Sequence, residues 1–424
     1  MPIVLNKKAN PMIKNNPKIP AGWSVKRLDE IGIFMSGTGF PEKEQGGIEG
    51  LPFYKVSDMN LSENSIYMIK SNNYVTESQI KQMHIRPILQ KSILFAKVGA
   101  AIFLERKRIA ENFLCDNNMM CFSPFGFSLF YKYYFDILRL SKYAQVGALP
   151  SYNASDLANI KILLPPLAEQ EKIAEILGAW DSAIEKLTAL IAAKRLQKKG
   201  LMQKLLTARI RLPGFTGEWQ KQKLGCLFSF HRSLSASRAQ LGEIGIPYLH
   251  YGDIHKTGKT SFNPEKDELP KLDYRENAEK YLLKNGDVVF VDASEDRKDA
   301  SRFCVIKNKN NVPFLAGLHT VVARPKSDEL NVDFSEFLFQ SNDFRKQVSI
   351  LANGMKIFGV SKDILSNIVI RYPQNIAEQK AIADILSKAD EEIDLLTRKL
   401  DLLQSQKKGL MQQLLTGKIR VKVA

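Results

Sequence analysis

The stretch KKGLMQ occurs at residues 198–203 and again at 407–412. The same offset of 209 positions aligns far more than the hexapeptide. LAEQEKIAEILGAWDSAIEKLT (167–188) falls on IAEQKAIADILSKADEEIDLLT (376–397), and KKGLMQKLLTARIR (198–211) falls on KKGLMQQLLTGKIR (407–420). No gap separates the blocks, so each copy must build one element of the same length. Fainter echoes precede each copy. AGWSVKRLDEIGIF (21–34) resembles GEWQKQKLGCLFSF (217–230), LPFYKVSDM (51–59) resembles IPYLHYGDI (246–254), and SDLANIKILLPP (155–166) resembles SKDILSNIVIRYP (361–373). The plan is therefore globular domain, helix, globular domain, helix. Its boundaries read as a flexible basic arm at 1–20, a first domain at 21–165, a central helix at 166–212, a second domain at 213–373 and a final helix at 374–424.

The repeated blocks carry a heptad seam. Ile173, Leu177, Ile184, Leu187 and Leu201 lie on alternating steps of three and four, as do Ile382, Leu386, Ile393, Leu396 and Leu410. A helix of about 40 residues would run about 60 Å, and one apolar stripe of that length needs a partner. The other copy is the obvious one. The first helix delivers the chain to the second domain, so the second must run back, and the pair is expected to be antiparallel with a pseudo-two-fold relation. Lys198 and Lys407 occupy seam positions, where a lysine sets register or lays its stem along the groove; a phosphate contact is the alternative. Gly200 and Gly409 each cost about 1 kcal/mol of helix stability relative to alanine. Close backbone approach is the expected reason, with a helix stop as the alternative.

Each helix opens on a proline followed by a first-turn glutamate, which suits the missing N–H and the positive helix end. The identity of Glu169 and Gln170 with Glu378 and Gln379 goes further. A contact made twice with a duplicated partner subunit would account for it, as would simple common ancestry.

The globular halves read as α+β. Runs such as SILFAKV, DVVFVDA, HTVVARP and NIVIRYP are rich in Val, Ile and Phe and end at turn formers. Residues 128–140 and 332–348 each read as one helix. Lys and Arg outnumber Asp and Glu by 61 to 45, a formal charge of +16, which points to a polyanionic partner. Polar islands suit base reading: FVDASEDRKDASR (290–302), ANGMKIFGV (352–360) and VGALPSYN (146–153). Arg and Lys can donate to guanine, and aromatic side chains can stack or meet thymine methyls. The candidate contacts in and beside these runs are Lys55, Lys97, Ser151, Tyr152, His250, Tyr251, Ser294, Arg297, Lys298, His319 and Lys356. An ordinary solvated loop is the bland reading of any one of them.

Several chemistries find no support. Cys115, Cys121, Cys226 and Cys304 form no CxxC pair, which suits a reducing compartment. No apolar run approaches the ~18 residues of a membrane span, and the N-terminus lacks the apolar core of a signal peptide. A cytoplasmic location is expected. No GxxxxGK[ST] or HExxH is present, and HYGDIH (250–255) suits a strand edge or loop better than a metal site. The chain is expected not to be a catalyst and to hold no metal or other cofactor itself.

With these features assembled, the chain resembles the specificity subunits of type I restriction-modification systems. The resemblance rests on the two AEQ…KKGLMQ blocks, on residues 290–302, on LAGLHTVVARP (315–325) and on the alternation of domain and helix. It implies two target recognition domains, each reading one half of a bipartite duplex DNA site, with the helices fixing the gap. It implies two methylation subunits and two restriction subunits as partners, which would carry S-adenosylmethionine, ATP and Mg2+. The first half departs from the pattern, with FAKVGAAIFLERKRIA (95–110) in place of a Ser-Glu-Asp loop. A coiled-coil adaptor whose paired domains bind protein or RNA is the alternative from another class.

Overall fold

The computed structural model describes residues 19–145, 147, 149–273, 278–294, 302–351 and 358–423. The chain forms two compact units, Met1–Thr188 with Lys399–Ala424, and Ala189–Arg398.

In the first unit, four antiparallel strands lie in the order Gly32–Ser36, Met119–Pro124, Ser92–Ala96, Lys107–Ala110. Leu51–Tyr54 pairs antiparallel with Tyr74–Val75 and parallel with Leu114–Cys115. Ser24–Arg27 pairs antiparallel with Lys161–Leu164, so the domain's end returns to its beginning just before the long helix Leu167–Leu205. The second unit repeats this plan. Phe228–Arg232, Thr320–Pro325, Val288–Val291 and Phe303–Ile306 form the matching antiparallel set, extended by Ser261–Phe262. Ile246–Leu249 pairs antiparallel with Lys271–Leu272 and parallel with Leu315–Ala316. Trp219–Lys223 and Val369–Pro373 close the domain before the second long helix, Ile376–Leu414. The α+β class and the internal repeat both stand.

Each long helix has 39 residues and passes through its glycine without a break. In the first unit Glu169 meets Arg420 and Asp181 meets Lys407. In the second, Lys194 meets Glu392, Lys198 meets Asp390 and Arg211 meets Glu378. Numbers rise along one helix as they fall along the other, so the helices are antiparallel in each unit. The seam residues do more than join two helices. Ile173 and Leu177 are buried with Trp23, Phe130, Tyr134, Met411 and Leu414 in the first domain's core. Ile382 and Leu386 are buried with Trp219, Phe334, Phe337 and Leu205 in the second. Helix start, opposite helix end and globular domain thus share one core, worth roughly 1.5–3 kcal/mol for each fully buried leucine. Leu187 and Ile393 are also buried, whereas Ile184, Leu201, Leu396 and Leu410 are half-buried.

Three expectations are corrected here. First, the AEQ residues face inward, with Glu169 6%, Gln170 5%, Glu378 2% and Gln379 0% exposed, which leaves no surface for a partner subunit. Trp23 Nε1 donates to Glu169 Oε2 (3.1 Å) and Trp219 Nε1 to Glu378 Oε1 (3.3 Å). Arg420 donates to both Glu169 oxygens, Nε at 2.9 Å, and Arg211 to both Glu378 oxygens at 2.7 and 2.8 Å. The remaining guanidinium N–H groups reach the Ala21 and Gly217 carbonyls. A buried carboxylate needs such a bidentate partner. The repeated contact is therefore internal: each glutamate ties the domain's first tryptophan to the arginine that follows the opposite helix.

Second, a Cβ on Gly200 or Gly409 would meet nothing within 4 Å, so neither close approach nor a helix stop explains these glycines. Third, residues 332–348 hold two helices, Val332–Leu338 and Asn342–Leu351, because Ser341 Oγ accepts the Phe344 N–H and starts a new one. The matching run of the first domain, residues 128–140, holds one α-helix, Leu129–Ile137. The seam lysines take the structural role. Lys198 Nζ lies 2.5 Å from Asp390 Oδ1 and 5.4 Å from the Phe337 ring centroid. Lys407 pairs with Asp181 and stands 5.1 Å from the Tyr133 centroid. Among the described residues, no helix is long and apolar enough to cross a membrane.

Candidate nucleic-acid interface

The two domains present the same backbone frame at the end of a central strand. In the first, the Lys97 N–H donates to the Asn118 carbonyl (2.7 Å) and the Tyr152 N–H to the Lys97 carbonyl (3.0 Å). In the second, the Asp292 N–H donates to the His319 carbonyl (3.1 Å) and the Val360 N–H to the Asp292 carbonyl (2.9 Å). Three separate segments thereby meet at one edge in each unit, although more than 50 residues separate Lys97 from Tyr152. Lys97 and Asp292 occupy equivalent places with opposite charge, and Asn118 corresponds to His319.

In the first unit Lys97 Nζ donates to Ser36 Oγ (3.2 Å) at an exposed position. Ser151 bridges Val98 and Gln145, which brings it beside Lys97. Tyr152 is corrected: it is 4% exposed, with its ring 6.1 Å from Phe95, so it supports the frame instead of forming a loop tip. Burial raises its phenol pKa. Alternation along the extended segment turns Ser151 and Tyr152 to opposite sides. Lys55 is half-buried, with Nζ donating to Gln45 Oε1 (3.0 Å).

In the second unit His250 is buried and caps the helix Tyr251–Thr257, its Nδ1 accepting the Gly252 N–H (3.1 Å). This corrects both the strand-edge reading of HYGDIH and the use of His250 as a free reader. The His250 N–H in turn donates to Asp253 Oδ2 (3.2 Å), and the Lys55 N–H donates to Asp58 Oδ2 (2.8 Å) in the first unit. In both copies an aspartate three residues on thus accepts the N–H of the residue before the turn. In the second the histidine side chain also accepts, a cap hidden in sequence because histidine is not an ordinary cap residue. Burial, then the Arg238 guanidinium, holds the His250 imidazole below its usual pKa. Tyr251 gathers the accessible groups: its centroid lies 5.3 Å from His319 and 6.2 Å from His255. His319 Nδ1 stands 3.4 Å from Asp292 Oδ1, and half of its side chain is exposed. Its φ of 56° is a left-handed conformation that costs a non-glycine residue about 1 kcal/mol or more.

Ala293–Ser294 pairs with Phe358–Gly359, so the ends of both polar islands of the second domain join this edge. Arg297, Lys298 and Lys356 lie outside the described residues, as does the side chain of Ser294. Among the described residues, no group of three or more His, Cys, Asp or Glu could hold a metal ion. Asn118 went unmarked in the sequence because strand pairing alone brings it to the edge.

The family model described as the type I restriction modification DNA specificity domain matches residues 20–195 and 216–405, one match for each half. The chain belongs to this specificity family. Its relatives include the type I restriction enzyme MjaVIII specificity subunit of Methanocaldococcus jannaschii, 29% identical over 290 residues. That match covers 65% of this chain and 65% of the relative's length. The putative MjaX specificity subunit of the same organism is 26% identical over 96% of this chain and 95% of its own length. Among solved structures, the type I restriction-modification S subunit from M. genitalium shares 15% identity, with a TM-score of 0.56, 95% of this chain covered and 98% of that chain. The specificity fold thus accounts for both domains and both helices.

Proposed function

We propose that this chain is the DNA sequence-specificity subunit of a type I restriction-modification complex. Residues 21–165 and 213–373 are its two target recognition domains, each reading half of a bipartite duplex site. The observation that carries this reading is the repeated edge, one frame with different side chains. Lys97 and Asn118 in one domain, and Asp292, His319 and Tyr251 in the other, offer different donor and acceptor patterns to base edges from the same scaffold. That is what two unlike half-sites require. Ser151 and Lys55, together with Ser294, Arg297, Lys298 and Lys356 from the polar islands, complete the proposed reading set. The chain supplies recognition; two methylation subunits and two restriction subunits supply chemistry, with S-adenosylmethionine, ATP and Mg2+ bound there. The helices set the gap between half-sites and carry the docking surface for the methylation subunits.

The test is to assemble the chain with its methylation subunits and map the methylated bases in duplex DNA. A split motif with an unspecified gap of one length is expected. Inserting one heptad into both helices should then change the preferred gap. A continuous motif, or no sequence-dependent methylation, overturns the reading; an unchanged gap after insertion overturns the spacer role.

A further inference from the structure

A hollow of about 310 Å³ lies within the second unit, between the C-terminal part of the first long helix and the start of helix Asn342–Leu351. Its rim carries Arg195, Lys199 and Arg209 from the helix and the turn after it, and Arg345 from the facing helix. Among the described residues, no carboxylate pairs with Arg195, Lys199 or Arg209, and all three side chains are exposed. Lys198 also lines the wall, but Asp390 neutralises it. Asp343 is the sole acidic residue in the lining. With Asp343 set against Arg345 in the charge count, Arg195, Lys199 and Arg209 leave a local excess of positive charge round the concavity, focused by the protein walls.

The hollow is set apart from the reading edge. None of its lining residues belongs to the strands and loops that hold Asp292, His319 and Tyr251. Nor does the repeat oblige it to be there: the residue 209 positions beyond Arg195 is Gln404, and the one beyond Arg209 is Lys418. Two guanidiniums on this rim are thus particular to the second unit's copy. Arginine is the side chain that grips phosphate oxygens in pairs, and a lysine adds a point charge.

We infer that this hollow is a phosphate-binding site, separate from base reading. A backbone phosphate of duplex DNA beyond the half-site, or the phosphates of a free nucleotide, would present the same oxygens to Arg195, Lys199 and Arg209. The DNA source rests on the function proposed above; the free-phosphate source does not.

The experiment compares the wild type with R195Q/K199Q/R209Q and with K43Q/K81Q/K142Q, which removes equal charge from the first unit. Binding of the assembled methylation complex to duplex carrying its own motif is measured from low to high salt. The full chain is also melted with and without pyrophosphate. If the phosphate belongs to DNA, the first triple lowers the magnitude of the log–log salt slope by about 0.9, the value for one phosphate contact. It weakens motif and scrambled duplexes alike and abolishes the pyrophosphate-induced rise in melting temperature. If the phosphate is free, the slope holds and only that rise disappears. A first triple that keeps both the slope and the rise overturns the site, and so does a control triple with equal effects. Should the wild type bind no duplex, the proposed function falls while the pyrophosphate melt still decides this site.

Discussion

Gln170 and Gln379 stand at the same place in the two long helices, one position after the buried glutamates, and they are identical in type but not in what they hold. Gln379 Nε2 donates to the Pro373 and Glu329 carbonyls, both at 2.8 Å, and its Oε1 accepts the Asn331 N–H at 2.7 Å. Gln170 Nε2 donates to the Pro165 carbonyl at 2.9 Å, and among the described residues its buried Oε1 has no hydrogen-bond partner. The glutamates beside them behave the other way, each keeping tryptophan and arginine in one arrangement. Identity between copies therefore does not guarantee identical work. The Trp–Glu–Arg tie is the invariant part of the repeat, and the glutamine network has been elaborated in the second unit alone.

The largest expected effect sharpens that contrast. Gln379→Ala strands two carbonyls and one N–H, and at ~1 kcal/mol or more for each lost bond should cost about 3 kcal/mol. Gln170→Ala should cost about 1 kcal/mol. Urea unfolding of the full chain measures both, and equal losses would erase the distinction. Next in size comes Arg420→Gln, read through pH. The Arg420 hydrogen bonds hold the Glu169 pKa below the ordinary value of 4.5 against the opposing effect of burial, with Trp23 assisting. A depressed carboxyl contributes stability above its unfolded pKa and loses it as pH falls through its folded pKa. The variant should therefore be less stable than wild type near neutrality, and the gap should close in acid below the Glu169 folded pKa. A gap that is constant with pH would remove the ion pair from the explanation.

A third test compares the seam lysine sites. Tyr133 donates its hydroxyl to Asp181 Oδ2 at 2.7 Å, whereas Phe337, beneath Lys198, has none to give. Tyr133→Phe should cost about 1 kcal/mol, and no loss in the melt would make the two sites equivalent. The smallest effects are gains. Gly200→Ala and Gly409→Ala place a methyl group in open space within a continuous helix, so each should stabilise the isolated chain by up to about 1 kcal/mol. A loss in either would show that the helix needs its glycine after all.

The helices were legible because a three-four spacing repeated at one offset leaves little freedom, and both ran to 39 residues as the blocks implied. The reason for the identical AEQ was not legible. Its partners, Trp23 with Arg420 and Trp219 with Arg211, sit at the ends of quoted blocks, but no local pattern says that an arginine folds back onto a glutamate 251 or 167 residues away. The proposed reading edge suffered similarly. His250 was marked for its type, yet local capping takes its ring inward; Asn118 passed unmarked although the strand register sets it beside Lys97. Side-chain chemistry can be listed from sequence, whereas its address depends on pairings between distant segments.

The tie between Glu169 and Arg420 also sets an order of events. The second unit is one unbroken stretch, Ala189–Arg398, but the first needs Lys399–Ala424 as well. On a ribosome, the half that emerges first is therefore the half that must wait. Until Met411, Leu414 and Leu415 arrive, the core around Trp23 and Leu177 lacks its covering layer. The nascent protein would carry an open apolar face through the whole synthesis of the second domain. Arrest or truncation before Arg420 should then leave that early domain, not the later one, as the target for chaperones and proteases.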